Sequence, residues 1–259
     1  MNREKIDLTI SIVVFNNYEQ VMETVESIER ETSNKISKKV YLIDNSSSLN
    51  VFNLEELKKY NDVMVIKNDY NFGFAKAHNV VIPNLNSKYH AIVNPDISLN
   101  EDSFSKIIDF MVDDRIGMVI PKIVNVDGSQ QYDYRQDITL LDVIIRVFNG
   151  KIFKKRYRYH TMQNYNYAKP FLVPFGQGSF LVIRTDLFRS LNGFDERFFM
   201  YLEDADLCKR VNQVSKLIYF PNTTVLHRWE RKSHKNLRMF IIHLESLLKY
   251  FKKWGIKFL

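Results

Sequence analysis

The sequence predicts an α/β domain built on a mostly parallel sheet. Short apolar runs alternate with helix-period segments through the first hundred residues, and each run ends in polar residues. The chain of 259 residues is 45% hydrophobic, enough for one large α/β core.

The first run, Thr9 to Phe15, reads as a strand. Asn16 and Asn17 supply a cap signal for a helix that places Val21, Val25 and Ile28 on one face. Val40 to Ile43 ends at Asp44-Asn45-Ser46, Val63 to Ile66 ends near Asn68, and Ala91 to Val93 ends at Asn94-Pro95-Asp96; all three read as buried strands. In an open, mostly parallel sheet the ligand sits outside the carboxyl ends of the strands. These polar endings therefore converge on one crevice, a layout of nucleotide-binding domains. Asn71 to Asn79 is a turn feeding a helix, in which Gly73 permits close backbone approach and the helix N-terminus offers N–H groups to an anion.

The segment from Gln130 to Pro174 is irregular, rich in Tyr, Arg and Lys, with one helical stretch from Leu140 to Phe148. It reads as an insertion or lid rather than a domain. Phe180 to Ile183 resumes a strand, Lys216 to Phe220 and Thr224 to Leu226 read as two more, and Asn236 to Trp254 as a long helix. From Gly193 to Arg210, carboxylates are interleaved with aromatics ahead of a short helix starting at Glu203. Asp204 then shares a face with Leu207, Cys208 and Val211, so a carboxylate heads an apolar stripe. A first-turn acid stabilised by the helix dipole, worth about 0.3–1 kcal/mol, explains the same pattern.

Composition narrows the class. One cysteine, Cys208, excludes an intramolecular disulfide, no Cys/His cluster has zinc spacing, and a reducing cytosol is the expected compartment. Leu8 to Phe15 is too short for a signal sequence or a membrane span, and no segment is expected to cross a membrane. The formal charge of +7 suits nucleic acid, anionic lipid or a phosphorylated substrate. Its clusters, Lys151 to Arg158 and Arg228 to Lys257, match no nucleic-acid-binding signature, so no nucleic-acid partner is expected. Lys151 to Arg158 reads equally as a holder of a lipid-diphosphate acceptor and as a solvated loop.

Taken in order, Ser11 to Asn17, Asp44-Asn45-Ser46, Asn71 to Asn79, Asn94-Pro95-Asp96, Gly178-Ser179, Gly193 to Arg210, and His227 ahead of Ser233 resemble the inverting glycosyltransferases of family 2, in their rhamnosyltransferase-like branch. The resemblance implies a single GT-A domain over 1–259. Its parts would be a Rossmann-like nucleotide-sugar half (1–98), an acceptor half (99–233) with the insertion at 130–174, and a C-terminal amphipathic helix (234–259). It assigns donor binding to Phe15, Asn16, Asp44, Asn45, Asn71, Gly73, Phe74, Asn79, Asn94 and Gly178, with Asp44 on the base or ribose. It makes Asp96 the last acid of a DxD-type motif holding a divalent cation, Mg or Mn, with His227 as a later ligand. Asn94 stands in the first acidic position and removes one charge, and Ser233 lies farther from His227 than the family spacing. It assigns Asp204 as general base and Glu203 to the acceptor. Asp206 with Arg210 is expected as a surface ion pair, and Asp195 as a shaper of its turn. The implied donor is dTDP-L-rhamnose, with UDP-sugars equally served by Asp44. The implied acceptor is a glycan or lipid-diphosphate-linked glycan of bacterial cell-surface polysaccharide synthesis. A relative that has lost turnover and only binds nucleotide or glycan is the alternative. Met239 to Leu259 mixes apolar residues with lysines; the apolar stripe suits packing on the catalytic domain, and its basic, aromatic end suits peripheral contact of a cytoplasmic protein with an anionic membrane.

Overall fold

The computed structural model describes residues 5–46, 54–147, 153–228 and 237–258. Ser233, Lys151, and the expected helix bounds Phe148 and Asn236 lie outside these residues.

Strand β1 (Ile6–Val14) is central. It pairs in parallel with β2 (Lys38–Asp44) on one side and β4 (Ser87–Val93) on the other, and β2 pairs in parallel with β3 (Val63–Lys67). Leu8, Ile10, Ile12 and Val14 are fully buried, and so are Thr9 and Ser11 between them, so both faces of β1 are covered. Each buried Val, Leu or Ile is worth about 1.5–3 kcal/mol, which makes this strand a main source of stability. β3 is the exception to the expected buried strands. It is an edge strand with Met64 and Val65 exposed.

The sheet continues past β4 through β10 (Phe180–Arg184), β6 (Ile116–Val124), β11 (Lys216–His227) and β5 (Ile97–Leu99), with β8 (Phe171–Leu172) added on β11. β10 is antiparallel to both neighbours, β4 and β6, so the two halves share one mixed sheet. β11 is one strand where the sequence suggested two. Pro221 cannot donate to the ladder, and the register with β6 slips between Phe220 and Thr224. The Glu101 carboxylate accepts from Thr223 Oγ1 and Thr224 N there, so the bulge is held rather than broken.

Helix α1 (Tyr18–Glu31) buries Val21, Val25 and Ile28, as its spacing predicted. Asn17 is its N-cap residue, but the side chain makes no cap bond; Asn17 Oδ1 accepts from the N–H of Phe15 instead. Helices α2 (Gly73–Asn79), α3 (Ser103–Phe110) and α6 (Thr185–Ser190) follow their strands. The 130–174 segment is more regular than its sequence suggested, holding α4 (Leu140–Val147), α5 (Lys154–His160) and β7 (Tyr134–Arg135), which pairs with β9 (Phe175–Gly176). The basic cluster is therefore largely helical, and its Arg156 reaches back to both carboxylate oxygens of Asp142. Helix α7 (Glu203–Val214) starts where expected, and α8 (Leu237–Trp254) packs Leu247, Tyr250 and Phe251 on Phe198, Leu202 and Ala205.

Candidate active site

Three strand ends form the first wall. The N–H of Asn45 donates to Val14 O, the N–H of Asn68 donates to Asp44 O, and the N–H of Asn16 donates to Ser46 Oγ. Asn16 bends out of β1 at φ 56°, a left-handed conformation that asparagine tolerates. Phe15 beside it is exposed, and Asp44, at the end of β2, accepts from the N–H of Ser46 through Oδ1.

Asn45 is fully spent inside the protein. Its Nδ2 donates to Asn71 Oδ1 and Gly73 O, and its Oδ1 accepts from Asn68 Nδ2 and Phe72 N. It cannot also serve a donor sugar nucleotide through its side chain, so its part is to shape the 71–73 turn. Asn79 is likewise committed, clasping the backbone N–H and carbonyl of Phe194. Phe74 packs edge-on against His78 and Phe194. The expected anion site at the start of α2 is filled from within, because the N–H of Phe74 donates to Phe199 O at 2.7 Å. Gly73 makes that approach possible. It sits at φ +78°, and a Cβ there would lie 2.1 Å from Phe199 O.

Asp96 and His227 are brought together by sheet register. β11 pairs antiparallel with β5, setting His227 opposite Ile97, and the N–H of Arg228 donates to Asp96 O. His227 Nε2 lies 3.4 Å from Asp96 Oδ1. Gln131 decides what that contact is. Its Nε2 donates to His227 O and Asn125 Oδ1, so its Oε1 faces His227 Nδ1 at 2.9 Å and takes that ring proton. In the neutral ring, Nε2 then carries a lone pair toward a carboxylate oxygen that is buried and has no hydrogen-bond partner. Two acceptors face each other, which fits a cation between them, with the distal ring nitrogen fixed as in metal-bound histidines. Among the described residues no group of three or more His, Cys, Asp or Glu side chains could hold a metal. The pair would need water and a diphosphate to complete a coordination shell. Asn94 is tied in by its backbone N–H, which donates to Ser179 O.

The third part is the start of α7. Asp204 Oδ1 accepts from the N–H of Ala205 and Oδ2 from the N–H of Gly178. A Cβ on Gly178 would stand 3.3 Å from Asp204 Cβ, so the glycine keeps this approach open. Burial raises the Asp204 pKa above the usual carboxylate value, against the lowering by these two N–H groups. The helix-dipole expectation, that the ionised form is favoured outright, is therefore outweighed by desolvation. Glu203 is pushed well up by burial and by the neighbouring Asp204, and its Oε2 is buried without a partner.

Sequence reasoning missed the residues that join these parts. Gln131, Asp133 and Arg135 lie at alternate positions of one extended segment, and Gln131 and Asp133 are buried. With its amide oriented to satisfy both neighbours, Gln177 donates to Asp133 Oδ1 and accepts from Arg135 Nη2, each at 3.2 Å. The next residue is Gly178, whose N–H holds Asp204, while Gln131, two residues before Asp133, holds His227, so one short segment supports both ends of the site. The signal was the Gln-x-Asp-x-Arg alternation of polar residues. Two further expectations change. Asp206 with Arg210 is a buried pair, Asp206 being fully inaccessible. Asp195 does hold its turn, accepting from Arg197 N, but also binds Lys253 of α8 at 2.7 Å.

A mixed sheet of this order, with its polar strand ends facing the start of α7, is the GT-A fold of nucleotide-sugar transferases. The solved structure of GalNAc-T7 with UDP, GalNAc and Mn2+ superposes over 96% of this chain and 49% of its own, with a TM-score of 0.72 at 17% identity. The mannosyltransferase PcManGT from Pyrobaculum calidifontis, with GDP-Man and Mn2+, does so over 96% of this chain and 65% of its own, at 0.66 and 14%. The family model "Glycosyl transferase family 2" matches residues 9–191, and the chain belongs to that family. Among curated relatives, the N-acetylglucosaminyl-diphospho-decaprenol L-rhamnosyltransferase of Mycobacterium tuberculosis is 29% identical over 205 residues, 73% of this chain and 66% of that protein. The rhamnosyltransferase WbbL of Escherichia coli is 27% identical over 198 residues, 69% of this chain and 70% of its own. The chain thus spans just under two thirds of the mycobacterial relative's length.

Proposed function

We propose that this chain is an inverting, divalent-cation-dependent glycosyltransferase that moves L-rhamnose from dTDP-L-rhamnose to a glycan or lipid-diphosphate-linked acceptor in cell-surface polysaccharide synthesis. The observation that carries this reading is the Asp96–His227 pair, two facing acceptors aimed by Gln131 beside the polar strand ends. The rhamnosyltransferase relatives support the sugar, and the diphospho-decaprenol acceptor named for one of them supports the acceptor class. Asp44, at the end of β2, would contact the pyrimidine or ribose.

A bound Mg or Mn ion supplies positive charge against the departing nucleoside diphosphate. Asp96 and His227 would hold it, with Gln131 fixing the imidazole. Asp204 takes the proton from the attacking acceptor hydroxyl while the N–H groups of Gly178 and Ala205 keep its carboxylate aimed. Glu203, buried beside it, contacts the acceptor.

A panel of dTDP-, UDP- and GDP-sugars, assayed by thermal stabilisation and slow donor hydrolysis with and without chelator, tests this directly. The expected result is cation-dependent stabilisation and hydrolysis with dTDP-L-rhamnose. A preference for a UDP-sugar would move the donor, and full activity in excess chelator would remove the cation. Gln131→Ala should weaken Mn2+ binding, read by electron paramagnetic resonance in the presence of dTDP, by about 10–100-fold, the usual cost of losing a supporting partner. Unchanged binding would mean that the histidine is not a ligand.

The same reading places the enzyme on a membrane surface on the cytoplasmic side. Among the described residues no helix is long and apolar enough to cross a bilayer. Yet α8 turns Phe240, Ile241, Leu244 and Leu248 outward, with Lys249 and Lys252 among them and exposed Ile256 and Phe258 beyond. An apolar helix face flanked by lysines suits an anionic interface. Changing Phe240, Leu244 and Leu248 together to Ser should abolish sedimentation with phosphatidylglycerol vesicles and leave the melting temperature unchanged. Equal sedimentation with neutral and anionic vesicles would refute the electrostatic part.

A further inference from the structure

Tyr201 and Leu202 are consecutive non-glycine residues at φ 71° and 66°, directly ahead of Glu203 and Asp204. Such conformations are unfavourable for side-chain-bearing residues and persist only where the surroundings over-determine them. Here the surroundings are α8. Ser246 Oγ donates to Met200 O at 2.8 Å, and the His243 ring lies 5.2 Å from that of Tyr201. Leu202 is buried in the cluster that includes Leu247, Tyr250 and Phe251.

The same helix grips the segment on both sides of this turn. Lys253 Nζ lies 2.7 Å from Asp195 Oδ2 and 2.6 Å from Asp206 Oδ1, and Trp254 Nε1 donates to Asp206 Oδ1 at 2.9 Å. Asp206 is fully buried and also takes Arg210 Nε at 2.8 Å, so both carboxylate oxygens are engaged. Helix α8 therefore fixes the chain before the strained pair, at it, and one half-turn past Asp204.

We propose that α8 is the positioning element of the acid at the head of α7, with Ser246 and Lys253 its positioning residues. They hold Tyr201 and Leu202 left-handed and thereby keep Asp204 on the Gly178 N–H. The proposal rests on the reading of Asp204 as the base. It gives the C-terminal helix two jobs on opposite faces, one outward toward a lipid surface and one inward toward the chemistry.

The test uses the full chain carrying Ser246→Ala or Lys253→Met. Amide exchange at Asp206, whose N–H is bonded to Leu202 O, should accelerate while exchange in β1 and β2 stays slow. Turnover should fall about 10–100-fold, the usual cost of a small misplacement, with KM for the donor unchanged. Adding Tyr201→Gly to Ser246→Ala should restore turnover, because glycine adopts this conformation without the support of α8. Unchanged exchange at Asp206, or turnover lost in step with donor KM and melting temperature and not restored by the glycine, would overturn the proposal. If exchange responds as expected but Asp204→Asn retains its turnover, the base assignment fails while the positioning of α7 by α8 stands.

Discussion

Asp204→Asn is expected to lower transfer by about 10²–10⁴-fold, the usual contribution of general-base catalysis, which corresponds to roughly 3–5 kcal/mol in the barrier. Asparagine keeps the shape, but its one oxygen can accept from the N–H of Gly178 or of Ala205 and not from both, since they bond to different oxygens of Asp204; neither bond involves the donor, so donor affinity should hardly change. A loss confined to kcat, with unaltered KM for the nucleotide sugar, marks an interaction made in the transition state. The pH profile is the second readout. A base works ionised, so activity rises with pH through its pKa, and burial raises that pKa above the usual carboxylate value. The acid limb of the wild-type profile should accordingly lie above the range of an exposed aspartate. Glu203→Gln should leave this limb in place, because Glu203, pushed well up by burial and by Asp204, is still neutral as Asp204 ionises, and should raise the acceptor KM. Turnover by Asp204→Asn within a few-fold of wild type would return the residue to a first-turn acid and shift the search to Glu203.

The strand ends that make the first wall of the site were legible because they depend on local pattern. Apolar runs closing on Asp44-Asn45-Ser46 or Asn94-Pro95-Asp96 announce where a parallel sheet stops, and the structure stops it there. The start of α7 was equally legible from the spacing of Asp204, Leu207, Cys208 and Val211. Long-range pairing was not legible. Nothing local tells that Asn45 and Asn79 spend their amides on protein partners, since both look like free polar residues beside a crevice. The tautomer of His227 depends on Gln131, 96 residues earlier in the chain. Asp206 and Arg210 show the right i, i+4 spacing, but their burial comes from Lys253 and Trp254 of α8, so a surface pair was the wrong reading of a correct contact. Thr9 and Ser11 are polar residues of β1 that face the protein interior, and only their long-range partners account for them there.

Those two residues lead to the second large effect, a loss of stability between pH 6.5 and about pH 3 driven by His78 and His90. Both imidazoles are fully buried, and burial first of all depresses each from the ordinary 6.5 to about 3. They belong to a chain of hydroxyls and rings. Ser11 Oγ lies 2.8 Å from His78 Nδ1 and 3.1 Å from His90 Nε2, Thr9 Oγ1 is 2.9 Å from His90 Nδ1, and Ser87 links Thr9 to Thr185. This chain satisfies neutral rings only in part, because His78 Nε2 has no partner, and neither ring faces a carboxylate. As pH falls below 6.5 the unfolded chain takes up both protons and the native protein refuses them, so stability is complete above 6.5 and drains away toward the native values. The slope should approach about 2.7 kcal/mol per pH unit for two groups, and the total should be on the order of several kcal/mol. Glu203 and Asp204 act in the opposite sense, since carboxylates raised in the folded state add stability as pH falls. Wild type alone would understate the histidine effect for that reason. Denaturant unfolding from pH 7.5 to 4.5 should therefore be compared with His90→Gln, which keeps a polar partner for Ser11 and removes one titrating ring. The difference in slope between the two proteins should be about 1.4 kcal/mol per pH unit. Parallel stability curves for wild type and His90→Gln would show that acid lability arises elsewhere, and that His90 is either protonated in the fold or not displaced from its ordinary titration.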